Sequence, residues 1–214
     1  MGLIGILESP HLYRLWQWPF WRAKFAPVAR HNDLTRIERV LDVGCGPGTN
    51  AKLFAHTQYL GLDWNGKYIS YARRRYGGQF VQADVRCFEP PAGTVYDFVL
   101  VNSFFHHLDD EATALILARL ERTLAPGGHI QILDLVLPPG RSIARYLATH
   151  DRGKFPRALE HWRELFLGAF DPVVLEPYCV SLSGVPLWHM VYFKGARKTD
   201  GRALQADDRG SRLQ

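Results

Sequence analysis

Between residues 40 and 133 the chain alternates short apolar runs with helix-like stretches, and this alternation restricts the fold more than any other feature of the sequence. The runs are Val40-Leu41-Asp42-Val43, Tyr59-Leu60-Gly61-Leu62-Asp63, Phe80-Val81-Gln82, Phe98-Val99-Leu100-Val101 and Ile130-Gln131-Ile132-Leu133. Several are continuously apolar, as strands are when both faces of a parallel sheet are covered. Helices are expected between them at about 48–57, 66–76 and 109–124. The last opens on Asp109-Asp110-Glu111, sets Ala112, Ile116, Leu120 and Leu124 on one stripe, and stops before Pro126-Gly127-Gly128. Repeated βα units join through right-handed crossovers, so the expected class is α/β, a mostly parallel open sheet with helices on both faces. Ligands then bind beyond the carboxyl ends of the strands.

After the fifth run come a Pro138-Pro139-Gly140 break, a helix expected near 157–168, and two β-rich runs at about 173–180 and 187–194. The connection from Ser181 to Pro186 is short, so these two are expected to form a C-terminal antiparallel hairpin that closes the sheet. The length of 214 residues suits one such domain with short appendages. A hydrophobic share of 47% is enough for a real core and rules out wholesale disorder.

The net charge of +5 invites a nucleic-acid reading until it is located: residues 1–31 carry +3, residues 196–214 carry +2, and the centre is neutral. Charge confined to the ends argues only weakly for nucleic acid. The uncharged stretch between Glu176 and Lys194 contains Pro177, Gly184 and Pro186 and is too short to span a bilayer. Met1 to Glu8 lacks the basic region of a secretory signal, and Cys45, Cys87 and Cys179 form no C-x-x-C pair. A cytoplasmic protein with reduced thiols and no metal site is expected.

The chemistry is carried by Asp42-Val43-Gly44-Cys45-Gly46-Pro47-Gly48, where the first strand turns toward the first helix. Glycines let the backbone turn tightly and approach a ligand closely. A dinucleotide fingerprint needs glycine where Thr49 stands, and an acid just before the loop opposes a pyrophosphate. Asp42, Asp63 and Asp84 recur at 21-residue intervals, one per βα unit, which places all three on one edge of the sheet. A ligand that accepts several carboxylates carries positive charge, ribose hydroxyls or an exocyclic amine. S-adenosylmethionine has all of these and no phosphate.

These residues resemble the class I S-adenosylmethionine-dependent methyltransferases over about 39–136. The motifs are Val40 to Gly48, Gly61-Leu62-Asp63, Gln82-Ala83-Asp84-Val85, Tyr96-Asp97-Phe98-Val99 and Leu124-Ala125-Pro126-Gly127-Gly128. The resemblance implies a Rossmann-like fold with S-adenosylmethionine as cofactor. It implies that Gly44, Gly46 and Gly48 hold the methionine portion, Asp63 the ribose hydroxyls and Asp84 the adenine amino group, with Asp42, Val85 and Asn102 also expected among the cofactor-binding residues. Trp64, next to Asp63, is expected to stack on adenine.

Asn102 ends the fourth strand in Asn102-Ser103-Phe104-Phe105, which lacks both prolines of the motif shared by amino-group methyltransferases. His106 and His107 follow, close to where the methyl group is presented, and are candidate proton acceptors, with helix capping or packing as the alternative for each. His150, Arg145 and Arg152 lie in the segment where an acceptor pocket is expected and can hold an anion or simply form a solvated basic face. Residues 11–31 contain Leu12, Leu15, Trp16, Trp18, Trp21, Phe25 and Val28, a stripe interrupted by Pro19, which can start a second helix.

The expected organisation is an N-terminal helical lid over 1–38, a methyltransferase domain over 39–195 and a flexible tail over 196–214. The expected function is methyl transfer to an oxygen or carbon of a small apolar or aromatic metabolite. The alternatives are an RNA or protein methyltransferase and a non-catalytic S-adenosylmethionine-binding protein. Peripheral membrane contact through the Trp-rich segment is the rival to the lid.

Overall fold

The computed structural model describes residues 10–151 and 153–199, with side chains from Phe20 onward. The elements are α1 (Pro10–His31), β1 (Arg39–Val43), β2 (Gln58–Asp63), α2 (Gly66–Tyr76), β3 (Gln79–Gln82), β4 (Tyr96–Asn102), α3 (Asp110–Thr123), β5 (Leu124–Val136), α4 (Ile143–Thr149), α5 (Leu159–Ala169), β6 (Asp171–Leu182) and β7 (Val185–Ala196). They build one seven-stranded sheet in the order β3-β2-β1-β4-β5-β7-β6. The first five strands are parallel, and β7 runs antiparallel to both β5 and β6. This is the α/β, Rossmann-like sheet with a C-terminal hairpin that the sequence implies.

Alternation along the strands divides the core into two layers. Leu41, Val43, Val99, Val101, Ile130 and Ile132 face α3 and α5, where Ile116, Leu120, Trp162 and Phe166 cover them. Val40, Phe98, Leu100, Leu133 and Tyr192 face the other way, onto Phe25 and Val28 of α1 and onto Phe54. Side-chain caps set three helix starts: Asn65 accepts from the amides of Lys67 and Tyr68, Asp109 from that of Ala112, and Ser142 from that of Arg145.

Four expectations change. The helix expected at 48–57 is a run of turns with a short 3-10 segment, Ala51–Phe54. Gly48 lies at φ +76, outside helical geometry, and the Thr57 hydroxyl donates to the Phe54 carbonyl to close the segment. Helix α3 stops at Thr123, and β5 starts at Leu124, running through Pro126-Gly127-Gly128. There a Cβ on Gly128 would stand 2.7 Å from the Tyr96 carbonyl oxygen, so only glycine permits the approach of β4. The hairpin strands reach to Leu182 and Val185, leaving a two-residue turn of Ser183 and Gly184 with φ of 49 and 82. Positive φ at both positions matches the right-handed twist of the paired strands.

Finally, α1 continues through Pro19. Proline forfeits one intrahelical hydrogen bond but its φ is helical, and burial of Phe25 and Val28 against the sheet holds the helix in place. The C-terminal half of the segment expected as a lid is therefore part of the core, while Leu12, Leu15, Trp16 and Trp18 lie outside the described side chains. At the other end, Arg197 pairs with Glu121 at 2.9 Å and the Thr199 amide donates to Asp171, whereas residues 200–214 of the expected tail lie outside the described residues. Among the described residues no helix is long and apolar enough to cross a membrane.

Candidate active site

The glycine loop leaves β1 with Gly44, Gly46 and Gly48 all at positive φ. At Gly44 a Cβ would meet the Phe104 ring at 2.6 Å, so the loop and the turn after β4 touch through a missing side chain. At Gly46 no atom lies within 4 Å of a would-be Cβ, and a ligand can rest directly on the backbone.

Asp63 is tied to this loop. Its Oδ2 accepts from the Gly46 amide at 2.9 Å and its Oδ1 from the Asn65 amide at 2.8 Å. Burial pushes its carboxyl upward while the two backbone bonds favour the charged form. Each oxygen keeps a lone pair for further donors. Trp64, beside it, is 76% exposed, an unusual position for the largest apolar side chain.

Asp42 is sealed off on the α1 side of the sheet. Its Oδ2 accepts from the Tyr59 hydroxyl at 2.7 Å and the Asn50 amide at 3.4 Å, and its Oδ1 has no hydrogen-bond partner. Burial raises the carboxyl to about 7, partly opposed by those two bonds. Asn50 in turn accepts from the Trp21 indole at 3.2 Å, so α1 is joined to the base of the loop. Asp84 is exposed and held by Arg86, whose Nη2 lies 2.6 Å from Oδ2 and whose Nε is 3.0 Å from each oxygen. That bonding lowers the carboxyl. Val85 is buried in the larger core.

After β4, half-buried Asn102 accepts from the Ser103 hydroxyl, and Ser103 adopts φ 55 before the 3-10 turn Phe105–His107. His106 is inside this turn's packing. Its Nδ1 lies 2.5 Å from Asp134 at the end of β5, and its Nε2 lies 3.3 Å from Asp151. Asp134 also accepts from the amides of Phe105 and Leu135. Burial opposes charge on the imidazole, but the two carboxylates outweigh it and raise His106 to about 9, while Asp134 is lowered against its own burial by His106 and the two amides. His107 is exposed, its ring centroid 4.2 Å from that of His106.

The segment after α4 is folded onto this turn: a Cβ on Gly153 would collide with the His106 ring, and the Phe155 amide donates to the His106 carbonyl. Buried Arg157 ties the turn to α3 through the Phe105 and Leu108 carbonyls and Asp110. Arg145 donates to the Pro138 carbonyl and His150 bonds the Tyr146 carbonyl, so both are engaged within their own loop, and Arg152 lies outside the described residues.

Lys24 of α1 faces the same end of β5, in the field of Asp134 and Asp151. Burial pulls its ammonium below the usual lysine range, against the attraction of those carboxylates. Sequence reading passed over Lys24, Asp134, Asp151 and Asn50. Of these, only Asp134 carried a local signal, as an acid directly following the apolar run Ile130 to Leu133.

A parallel sheet that reverses strand order beside a glycine loop, with an acid at the end of the next strand, defines a protein that binds a nucleoside-containing cofactor at the strand carboxyl ends. Residues 40–128 match the family described as a methyltransferase domain. The chain is 28% identical over 200 residues to the trans-aconitate 2-methyltransferase of Paracidovorax citrulli, covering 86% of this chain and 72% of that one. It is 36% identical over 119 residues to that of Methylobacterium nodulans, covering 51% of this chain and 44% of that protein. Overall the chain spans from 44% to 72% of the length of the trans-aconitate 2-methyltransferases it matches. In fold it is similar to the N-methyltransferase NodS from Bradyrhizobium japonicum, with a TM-score of 0.64 at 18% identity, covering 83% of this chain and 97% of that one. Over residues 40–128 the chain carries a methyltransferase domain of the S-adenosylmethionine-dependent class, whose cofactor is S-adenosylmethionine. The open backbone at Gly46 and the unspent lone pairs of Asp63 fit that molecule.

Proposed function

We propose that this chain transfers a methyl group to a carboxylate oxygen of a small metabolite. The observation that carries the reading is that both ring nitrogens of His106 face carboxylates and the imidazole is raised to about 9, so it holds its proton at neutral pH. A group in that state is a positioning residue and not a base. An alcohol or carbon acid needs a base to give up its proton, whereas a carboxylic acid ionises on its own near pH 4. The names of the trans-aconitate 2-methyltransferases, whose acceptor is a carboxylate, point the same way.

The bound cofactor supplies an electrophilic methyl group on a sulfonium. Gly44, Gly46 and Gly48 seat its methionine portion, and Asp63 accepts from the ribose hydroxyls. Trp64 stacks on the adenine, which Val85 supports and to which Asp84 offers an oxygen while keeping Arg86. Asp42 acts from beneath the loop by holding Asn50 and Tyr59. Asn102 and the Phe104 ring set the floor between cofactor and acceptor. His106, fixed by Asp134, holds the turn at the end of β4 in place. The carboxylate uses its own lone pair and no proton is released, so the work left to the chain is orientation and exclusion of water.

Incubation of the protein with labelled S-adenosylmethionine and a panel of trans-aconitate, citrate and benzoate tests this. A base-labile methyl ester is expected. A base-stable methylated product, labelled RNA or protein, or cofactor binding without turnover on any acceptor replaces the reading with the corresponding alternative. If a base-stable product forms and His107→Asn abolishes it, exposed His107 is the proton acceptor.

A further inference from the structure

We infer that Lys24 anchors a second, non-reacting carboxylate of the acceptor, so that the chain selects di- and tricarboxylates over monocarboxylates; this rests on the carboxylate reading above. Three contacts fix the rotation of α1 around Lys24. Phe20 packs edge-on against Trp188 with ring centroids 4.8 Å apart, the Trp21 indole reaches Asn50, and the Tyr178 hydroxyl donates to the Lys24 carbonyl at 2.8 Å. Phe20 packs on the cluster of Leu135 at the end of β5 and Ala148 of α4, and Lys24, one helical turn later, lies on the same face of α1.

Lys24 differs there from its charged neighbours. Asp134 is bonded by His106 and two amides, and Asp151 stands against the far nitrogen of His106. Among the described residues the Lys24 ammonium forms neither a hydrogen bond nor an ion pair, although burial disfavours its charge. A desolvated cation without a paired anion is costly to the fold, and a ligand that brings the anion recovers that cost. Of the two basic groups here, His106 is already paired with Asp134 and Asp151, so among the described residues Lys24 is left for an incoming carboxylate.

The anchored carboxylate is a different one from the carboxylate that reacts. The reacting group loses its negative charge as the ester forms, so an ammonium paired with it would stabilise the ground state more than the transition state. Pairing with a remote carboxylate stabilises both equally and is read in KM.

The test uses the full chain with trans-aconitate, fumarate and crotonate, a tricarboxylate, a dicarboxylate and a monocarboxylate of related unsaturated backbone. Lys24→Met is expected to raise KM for the first two by about 10²-fold, with kcat falling no more than a few-fold and the preference over crotonate lost. Lys24→Arg is expected to restore most of the KM. Calorimetry with trans-aconitate on the protein saturated with S-adenosylhomocysteine should show the same loss of affinity, while binding of S-adenosylhomocysteine itself is retained. Ester formation from trans-aconitate with unchanged KM in Lys24→Met overturns the inference alone. Failure of the unsubstituted protein to make an ester from any of the three overturns the carboxylate reading, and the role of Lys24 with it.

Discussion

The Asp134 carboxylate lies 2.5 Å from Nδ1 of His106, and both side chains are closed off from solvent. A buried pair of this kind holds its charges by mutual attraction and by further donors, here the amides of Phe105 and Leu135. It joins the end of β5 to the turn that follows β4. The two strands are hydrogen-bonded neighbours in the sheet, so the pair locks the floor of the candidate site.

The pair makes stability depend on pH. His106 is raised from 6.5 to about 9, so its contribution is complete below 6.5 and is lost as pH rises through 9, because the folded state there retains a proton the unfolded state has released. Urea unfolding at several pH values between 6 and 10 should show stability falling across that window, and His106→Gln should flatten the fall. An undiminished fall in His106→Gln would assign it elsewhere. Nuclear magnetic resonance should find the imidazole still protonated at pH 8.

Asp42 acts in the same direction for a different reason. Burial raises its carboxyl from 3.8 to about 7, so the folded state holds a proton between those values that the unfolded state lacks, and ionised Asp42 costs stability above pH 7. Asp42→Asn keeps an acceptor for Tyr59 and is expected to raise the melting temperature at pH 8 by a few degrees while weakening cofactor binding. Differential scanning calorimetry with and without S-adenosylhomocysteine separates the two effects. A lower melting temperature for the ligand-free variant at pH 8 contradicts the assignment.

Asp63 and Trp64 should fail differently. Asp63→Ala removes the acceptor for the Gly46 and Asn65 amides as well as for ribose, so cofactor affinity falls by about 10²-fold or more and the loop loosens. Trp64→Ala removes a side chain that is already exposed, so the fold keeps its stability and affinity falls by roughly tenfold at most. Titration calorimetry combined with thermal melts distinguishes these outcomes, and equal affinities across both variants and the parent remove both residues from the cofactor site.

Phe25 and Val28 make the C-terminal half of α1 part of the core. Phe25→Ala is expected to cost roughly 3–5 kcal/mol, and deletion of residues 1–31 to leave a chain that does not fold stably. Denaturant unfolding of the point variant and circular dichroism of the truncated chain check this. A stable, cooperatively folded 32–214 fragment would restore the view of α1 as a separable lid.

The parallel strands, the glycine loop and the recurring acids were legible in the sequence because each is written locally. Continuous apolar runs mark doubly covered strands, glycines mark left-handed backbone, and spacing by βα units brings the acids to one edge. The same local logic misplaced the helix after Gly48 and the break at Pro19, where side chains distant in sequence decide the outcome. Asp84 kept its place along the chain, but Arg86 two residues on occupies its carboxylate, a pairing that spacing alone does not reveal.

What the tertiary structure alone decided is the electrostatic character of the site. His106 was readable as a histidine near the reacting centre, yet its charge state depends on Asp134, 28 residues away, and on Asp151 beyond α4. Lys24 reaches the same place from a helix whose carbonyl is held by Tyr178, 154 residues further along the chain. Protonation depends on distance and burial in space, and neither follows from periodicity. The sequence therefore determined which cofactor this protein takes, and the folded arrangement decided which groups around it carry charge.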